Sequence, residues 1–181
     1  MRKILLRSLI LSLILFVFSF GLSYADIEEY VSGDFGFSII PPEGWEVIDG
    51  KPYNIAVIFV GPVDSGFRAN FNVNVVDAPE GITEFDEELI EDMKQVLEIA
   101  VKNNFGGNIE FIFEGEKEFS IYKGYEIVYI IELEKGLFLE QKQVYLINDG
   151  KAYIFTFTSL KETFEKYLPY FEESLESFEI F

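Results

Sequence analysis

The chain reads as an α+β domain, a largely antiparallel β-sheet of about seven or eight strands flanked by helices. Three observations predict it. Apolar residues alternate with period two through most segments of residues 35–158, the spacing of strands with one or both faces covered. Two stretches, residues 83–104 and 159–178, instead repeat apolar residues every three or four positions, as amphipathic helices do. Short Gly-containing links at Lys123-Gly124, Lys135-Gly136 and Asp149-Gly150 join successive strand segments, which favours hairpins over crossovers and hence antiparallel pairing.

Residues 1–25 stand apart from that pattern. Arg2, Lys3 and Arg7 form a basic start, Leu9 to Phe20 an apolar run, and Ser23-Tyr24-Ala25 a small-x-small cleavage site, the order of a secretory signal peptide. The apolar run is shorter than the roughly 20 residues a spanning helix needs, so no stable membrane span is expected after cleavage. Residues 26–181 are then expected to form a single domain, exported to the periplasm or the extracellular space.

In that domain Asp26 to Ser32 reads as a leader and Phe35 to Ile40 as the first strand. Pro41-Pro42-Glu43-Gly44 forces a turn, and Trp45 to Ile48 resumes as strand. Trp45, the one tryptophan, is expected to pack against the core edge. Ile55 to Val60 is a nearly continuous apolar run ended by Gly61-Pro62. From Phe67 to Val75 strict alternation sets Phe67, Ala69, Phe71, Val73 and Val75 on one face and Arg68, Asn70, Asn72 and Asn74 on the other. That row of three amides offers hydrogen bonds to a polar ligand or partner; the alternative is a solvated or helix-skirted sheet face.

Thr83 to Asn104 is the first helix, opened by Thr83 with Asp86 at capping-box spacing and closed before Gly106-Gly107. Its apolar stripe is Leu89, Met93, Val96, Leu97, Ala100 and Val101. Acids crowd its first half, where they complement the helix dipole. Glu87, Glu88 and Glu91 among them are candidate binding residues, although a helix face lacks the backbone oxygens of a dedicated calcium site. Four strands follow: Ile109 to Glu118, Tyr125 to Leu133, Leu137 to Ile147, and Lys151 to Thr158. Asn148-Asp149-Gly150-Lys151 suits a two-residue type I′ turn. Ser159 and Glu162 stand at capping-box spacing ahead of a stripe of Leu160, Phe164, Leu168, Phe171, Leu175 and Phe178, with a kink or a new first turn expected near Leu168 because of Pro169.

The chain carries 32 acidic and 14 basic residues, a formal net charge of −18, and the signal segment holds basic residues but no acidic ones. Such a surface repels phosphate, which argues against nucleic acid or an anionic bilayer as partner. There is no His and no Cys, which removes the commonest general base, the usual zinc ligands and the thiol nucleophile. Ser120-Ile121-Tyr122-Lys123 matches S-x-x-K, but sits at a strand end rather than on the helix that motif needs. No catalytic residue, cofactor or metal site is therefore assigned. Two carboxylates would suffice for glycoside hydrolysis, yet no pair stands out.

Three segments, FGFSIIPPEGW at Phe35–Trp45, FRANFNVNVV at Phe67–Val76, and KAYIFTFTSL followed by FEKYLPYFEESLESF within Lys151–Phe178, resemble the PsbP-like family in order and spacing. That family includes the extrinsic PsbP protein of the oxygen-evolving complex, small secreted bacterial homologues and a Ran-binding nuclear-import relative. The resemblance implies a sheet between helices, an α/β/α sandwich, and an accessory or binding role without catalysis. Histidines proposed as metal-linked in plant members have no counterpart here. The expected function is thus an exported protein-interaction module whose partner, an envelope or extracellular protein, presents a basic face. Two alternatives remain: a carrier holding a small apolar ligand between sheet and helix, and a carboxylate-dependent hydrolase.

Overall fold

A computed structural model describes residues 29–133 and 136–181; the expected signal peptide lies outside them. Ten strands and two α-helices are formed among the described residues: β1 (Tyr30–Ser32), β2 (Phe37–Ile39), β3 (Glu46–Asp49), β4 (Val57–Asp64), β5 (Phe67–Asp77), α1 (Glu87–Phe105), β6 (Asn108–Phe119), β7 (Tyr122–Glu132), β8 (Phe138–Asn148), β9 (Lys151–Leu160), α2 (Phe164–Glu176) and β10 (Glu179–Ile180). Seven strands form one antiparallel sheet in the order β3-β4-β5-β9-β8-β7-β6. After β5, α1 carries the chain to the far edge. Three successive hairpins then bring it back until β9 pairs with β5. β8 and β9 meet through Asp149 and Gly150, both at positive φ (47° and 72°), the conformation a type I′ turn requires.

The strand expected at Phe35–Ile40 does not join this sheet. As β2 it forms a separate three-stranded sheet between β1 and β10, so the end of the expected leader is itself a strand. β4 also runs through Gly61-Pro62 instead of ending there. Val60 pairs with Asn70 and Val63 with Arg68, so the register slips across the intervening residues as a bulge, where Pro forfeits no ladder hydrogen bond.

The helices take opposite faces of the large sheet. Leu89, Met93, Leu97 and Val101 of α1 pack with Tyr129, Tyr145 and Ile154. Phe164, Tyr167, Phe171 and Leu175 of α2 pack with Phe71, Phe155 and Phe157, together with the small sheet. Trp45 is buried beside Phe71 and Tyr167. Asp86, expected three residues into α1, is its N-cap, accepting from Leu89 N at 2.7 Å. Ser159 lies in β9 and bonds Thr163 Oγ1; a 3-10 turn at Lys161–Thr163 intervenes before α2 begins. Pro169 falls inside α2, which runs on as one helix, so of the kink or new first turn expected near Leu168 the new first turn does not form.

Candidate functional site

Two places in this architecture gather the polar residues singled out above, and they differ in access. On the α1 face, alternation in β5, β9, β8 and β7 lines up Asn70, Thr158, Gln141 and Tyr129 in one row, and Asn72, Thr156 and Gln143 in the next. The Tyr129 hydroxyl donates to Gln141 Oε1 (2.7 Å) and Gln141 Nε2 to Thr158 Oγ1 (2.7 Å). Gln143 Nε2 donates to Thr156 Oγ1 (3.1 Å), and the Tyr145 hydroxyl to Gln143 Oε1. Burial pushes the Tyr129 and Tyr145 hydroxyls well above the usual phenol range, so both remain donors. Asn70 donates to the Arg68 carbonyl (3.1 Å). Asn70, Asn72 and Asn74 are all buried, and Asn72 Oδ1 has no hydrogen-bond partner. This row is a buried ladder that crosslinks the sheet. Its amides do not stand open on a solvated face.

The second place is on the surface. Glu87, Glu88 and Glu91 are exposed at the start of α1. Lys94 joins the helix to the sheet edge, holding Glu91 Oε1 at 3.2 Å and Glu114 Oε2 at 3.0 Å, with its ammonium 5.2 Å from the Phe111 ring centre. The hydrogen bond to Glu114 outweighs burial and raises the Lys94 pKa, so that lysine stays charged. β6 continues the acidic surface, because after a bulge at Ile112 its register puts Glu114, Glu116 and Glu118 opposite Ile127, Tyr125 and Lys123 on the α1 side.

Between β6 and the approach to α1 lies a hollow of about 330 Å³, lined among others by Glu84, Phe85, Glu116, Glu118 and Tyr125. The rings of Phe85 and Tyr125 stack 5.7 Å apart at 27°. Burial, followed by the charge of Glu114, raises the Tyr125 pKa, so a neutral aromatic surface faces a carboxylate rim. Lys117 and Lys123 also line the hollow, but Lys117 binds Glu172 (2.7 Å) and Lys123 binds Glu118 (3.3 Å). Sequence reasoning named the α1 acids and missed Phe85, Glu116 and Tyr125. The signal available was the alternation of glutamates at 114, 116 and 118.

Other expectations meet different outcomes. For the alternative of a small apolar ligand held between sheet and helix, the hollow under the N-terminal half of α1, lined by Leu89, Met93 and Tyr145, measures about 10 Å³, roughly the space of one water. A wider hollow of about 530 Å³ lies instead at one end of the sheet, among Ser65, Leu137, Phe138, Leu160 and Glu162. Ser120 sits in the β6–β7 turn at positive φ, its N–H donating to Glu176 (2.7 Å). Lys123 meanwhile pairs with Glu118, so the S-x-x-K residues form no nucleophile and base. Among the described residues no group of three or more acids is placed to hold a metal ion, and no helix is long and apolar enough to cross a membrane.

No protein-family model and no curated protein matches the chain. Solved structures do. The cyanobacterial PsbP of Synechocystis superposes with a TM-score of 0.67 at 17% identity, over 90% of this chain and 97% of that one. LpqN, involved in cell envelope biogenesis of Mycobacterium tuberculosis, gives 0.55 at 14% identity, over 86% and 92%. The Ran-binding protein Mog1p of Saccharomyces cerevisiae gives 0.51 at 10% identity, over 84% and 94%. The chain therefore has the PsbP-like fold, and identities this low carry nothing finer than fold.

Proposed function

We propose that this protein is an exported, non-catalytic binding module that docks a basic face of an envelope or extracellular partner on the surface shared by α1 and β6. One observation carries the reading: around the N-terminal half of α1 and the hollow beside β6 the lysines are held by acids, Lys94 by Glu91 and Glu114 and Lys123 by Glu118, while Lys117 turns to Glu172 on the α2 side. The remaining carboxylate charge faces outward. Export is supported by the pattern of residues 1–25. Likeness in fold to a Ran-binding protein agrees with a binding role, and likeness to a protein involved in cell envelope biogenesis agrees with that compartment. A field of one sign mainly raises association rate and selects partners, and salt screens it over a Debye length of about 8–10 Å.

The test uses the mature protein, which should begin at Asp26 by mass spectrometry, to capture its partner from an envelope extract. In surface plasmon resonance on that partner, raising NaCl from 50 to 300 mM should slow association by about tenfold, and Glu87→Lys, Glu88→Lys and Glu91→Lys combined should slow it further. A salt-independent association rate untouched by the reversals overturns the reading.

A further inference from the structure

The large sheet ends in two very different edges. β3 offers four residues, whereas β6 offers twelve and pairs only with β7 among the described residues. In an antiparallel ladder roughly every second residue turns its N–H and C=O away from its partner strand, so β6 presents a row of backbone donors and acceptors to the outside. Long open edges are normally blunted, because they template pairing with another chain. β6 is blunted against one class of partner only. Its bulge at Ile112 and the glutamates at 110, 114, 116 and 118 disfavour a second copy of the same strand, which would bring the same four glutamates alongside. They do not disfavour a strand of opposite charge.

We infer that β6 is a docking edge that takes an extended, basic segment of the partner protein as an eighth strand. This deepens the acidic-surface reading and rests on it. The two faces of the edge specify the segment's pattern. On the α1 side an incoming strand meets Glu114 and Glu116, then the hollow over Phe85 and Tyr125, where a lysine or arginine finds carboxylates beside an aromatic surface. On the opposite side it meets Phe113, paired with Val128 and left 52% exposed, which suits an apolar residue. The segment that fits therefore alternates basic and apolar residues, with main-chain bonds supplying affinity and the alternate side chains supplying selection.

The probe is an acetylated, amidated octapeptide of alternating lysine and valine. Its control replaces every valine with proline, keeping the charge and removing half the main-chain donors. Both are titrated against the full chain and followed by hydrogen–deuterium exchange. At a concentration about ten times its Kd, the lysine–valine peptide should slow exchange of the outward amides of β6 about tenfold, and the proline peptide should not. Glu116→Lys with Glu118→Lys, both at exposed positions on the α1 side of the edge, should weaken lysine–valine binding by about tenfold while leaving the melting temperature unchanged. Binding of both peptides with no protection of β6 overturns strand addition and leaves the acidic surface standing. No binding of the lysine–valine peptide overturns strand addition as well, and the salt test above then decides the broader reading independently. Protection of β6 that grows with protein concentration in the absence of peptide assigns the edge to a second copy and also overturns the proposal.

Discussion

The two faces of the large sheet are built from the same strands to opposite ends. β5 alone shows the contrast, sending Phe71 and Val73 to the α2 side and Asn70 and Asn72 to the α1 side. The α2 side is an aromatic lattice. Phe171 stacks on Phe157 (5.5 Å, 13°) and meets Phe71 edge-on (5.5 Å, 72°), while Phe178 contacts Phe37, Phe119, Tyr153 and Phe155. The α1 side has a mixed aliphatic and aromatic patch under the helix, a polar ladder along the middle strands, and an acidic rim at β6. The α2 face carries the larger share of interactions that gain by excluding water, whereas the α1 face divides between apolar packing under the helix and hydrogen bonds that folding exchanges for bonds to water at small net gain. Stability should therefore be concentrated on the α2 face.

The largest expected effect tests that directly. Phe171→Ala, at a fully buried position, should lower unfolding free energy by about 3–5 kcal/mol. Glu173→Ala, on the exposed side of the same helix, should change it by less than about 0.5 kcal/mol. Equal urea midpoints for the two variants would show that α2 does not anchor this face.

An ion network closes the α2 face and should come second. Lys142 lies 2.6 Å from Glu126 and 2.7 Å from Glu172, which also binds Lys117; the Lys142 side chain is 10% exposed. Burial works against the charge of Glu172, but Lys117 and Lys142 outweigh it and hold its pKa below the ordinary value of 4.5. A depressed carboxylate contributes stability that is fully present above its unfolded pKa and is lost as pH falls through the folded one. Glu172→Gln should thus cost about 2–3 kcal/mol at pH 7, and the gap to the parent protein should close on acidification below about pH 4. A gap that stays constant from pH 7 to pH 3 in urea titrations would show that the network does not act through this charge.

What the sequence made legible follows from range. Asp149-Gly150 dictates a local geometry, so the β8–β9 hairpin is readable; α1 and α2 are readable from stripes that need no partner strand. β1 and β10 are three and two residues long, too short for any period, and they exist because residues far apart meet across β2. Gly61-Pro62 reads as a stop, since only the cross-strand register reveals a bulge there. At the candidate surface the acids of α1 are countable in sequence. That β6 is an edge is a property of strand order, and the Phe85–Tyr125 stack joins residues on either side of α1 and β6. Asn70, Asn72 and Asn74 show the same limit from the other direction, because alternation names the face but not what covers it.

The smallest effect bears on why the α1 face keeps such amides. Asn72 lies opposite Ile58 on β4 and Thr156 on β9, and its unpartnered Oδ1 carries a desolvation cost of about 1–3 kcal/mol for an orphaned acceptor. Valine removes that acceptor, suits a central strand and meets Ile58 as an apolar neighbour. Asn72→Val should accordingly be neutral or stabilising by up to about 1 kcal/mol, the opposite sign from Phe171→Ala on the other side of the same sheet. Denaturation midpoints of the two variants measured together decide it. A loss at Asn72→Val approaching that at Phe171→Ala would mean the ladder is a cooperative network whose worth exceeds its separate bonds, and the contrast between the faces would fail. A gain would mark Asn72 as a position where the chain holds less stability than it could. Such positions are where a binding role is next sought, by repeating the partner association measurement with the stabilised variant.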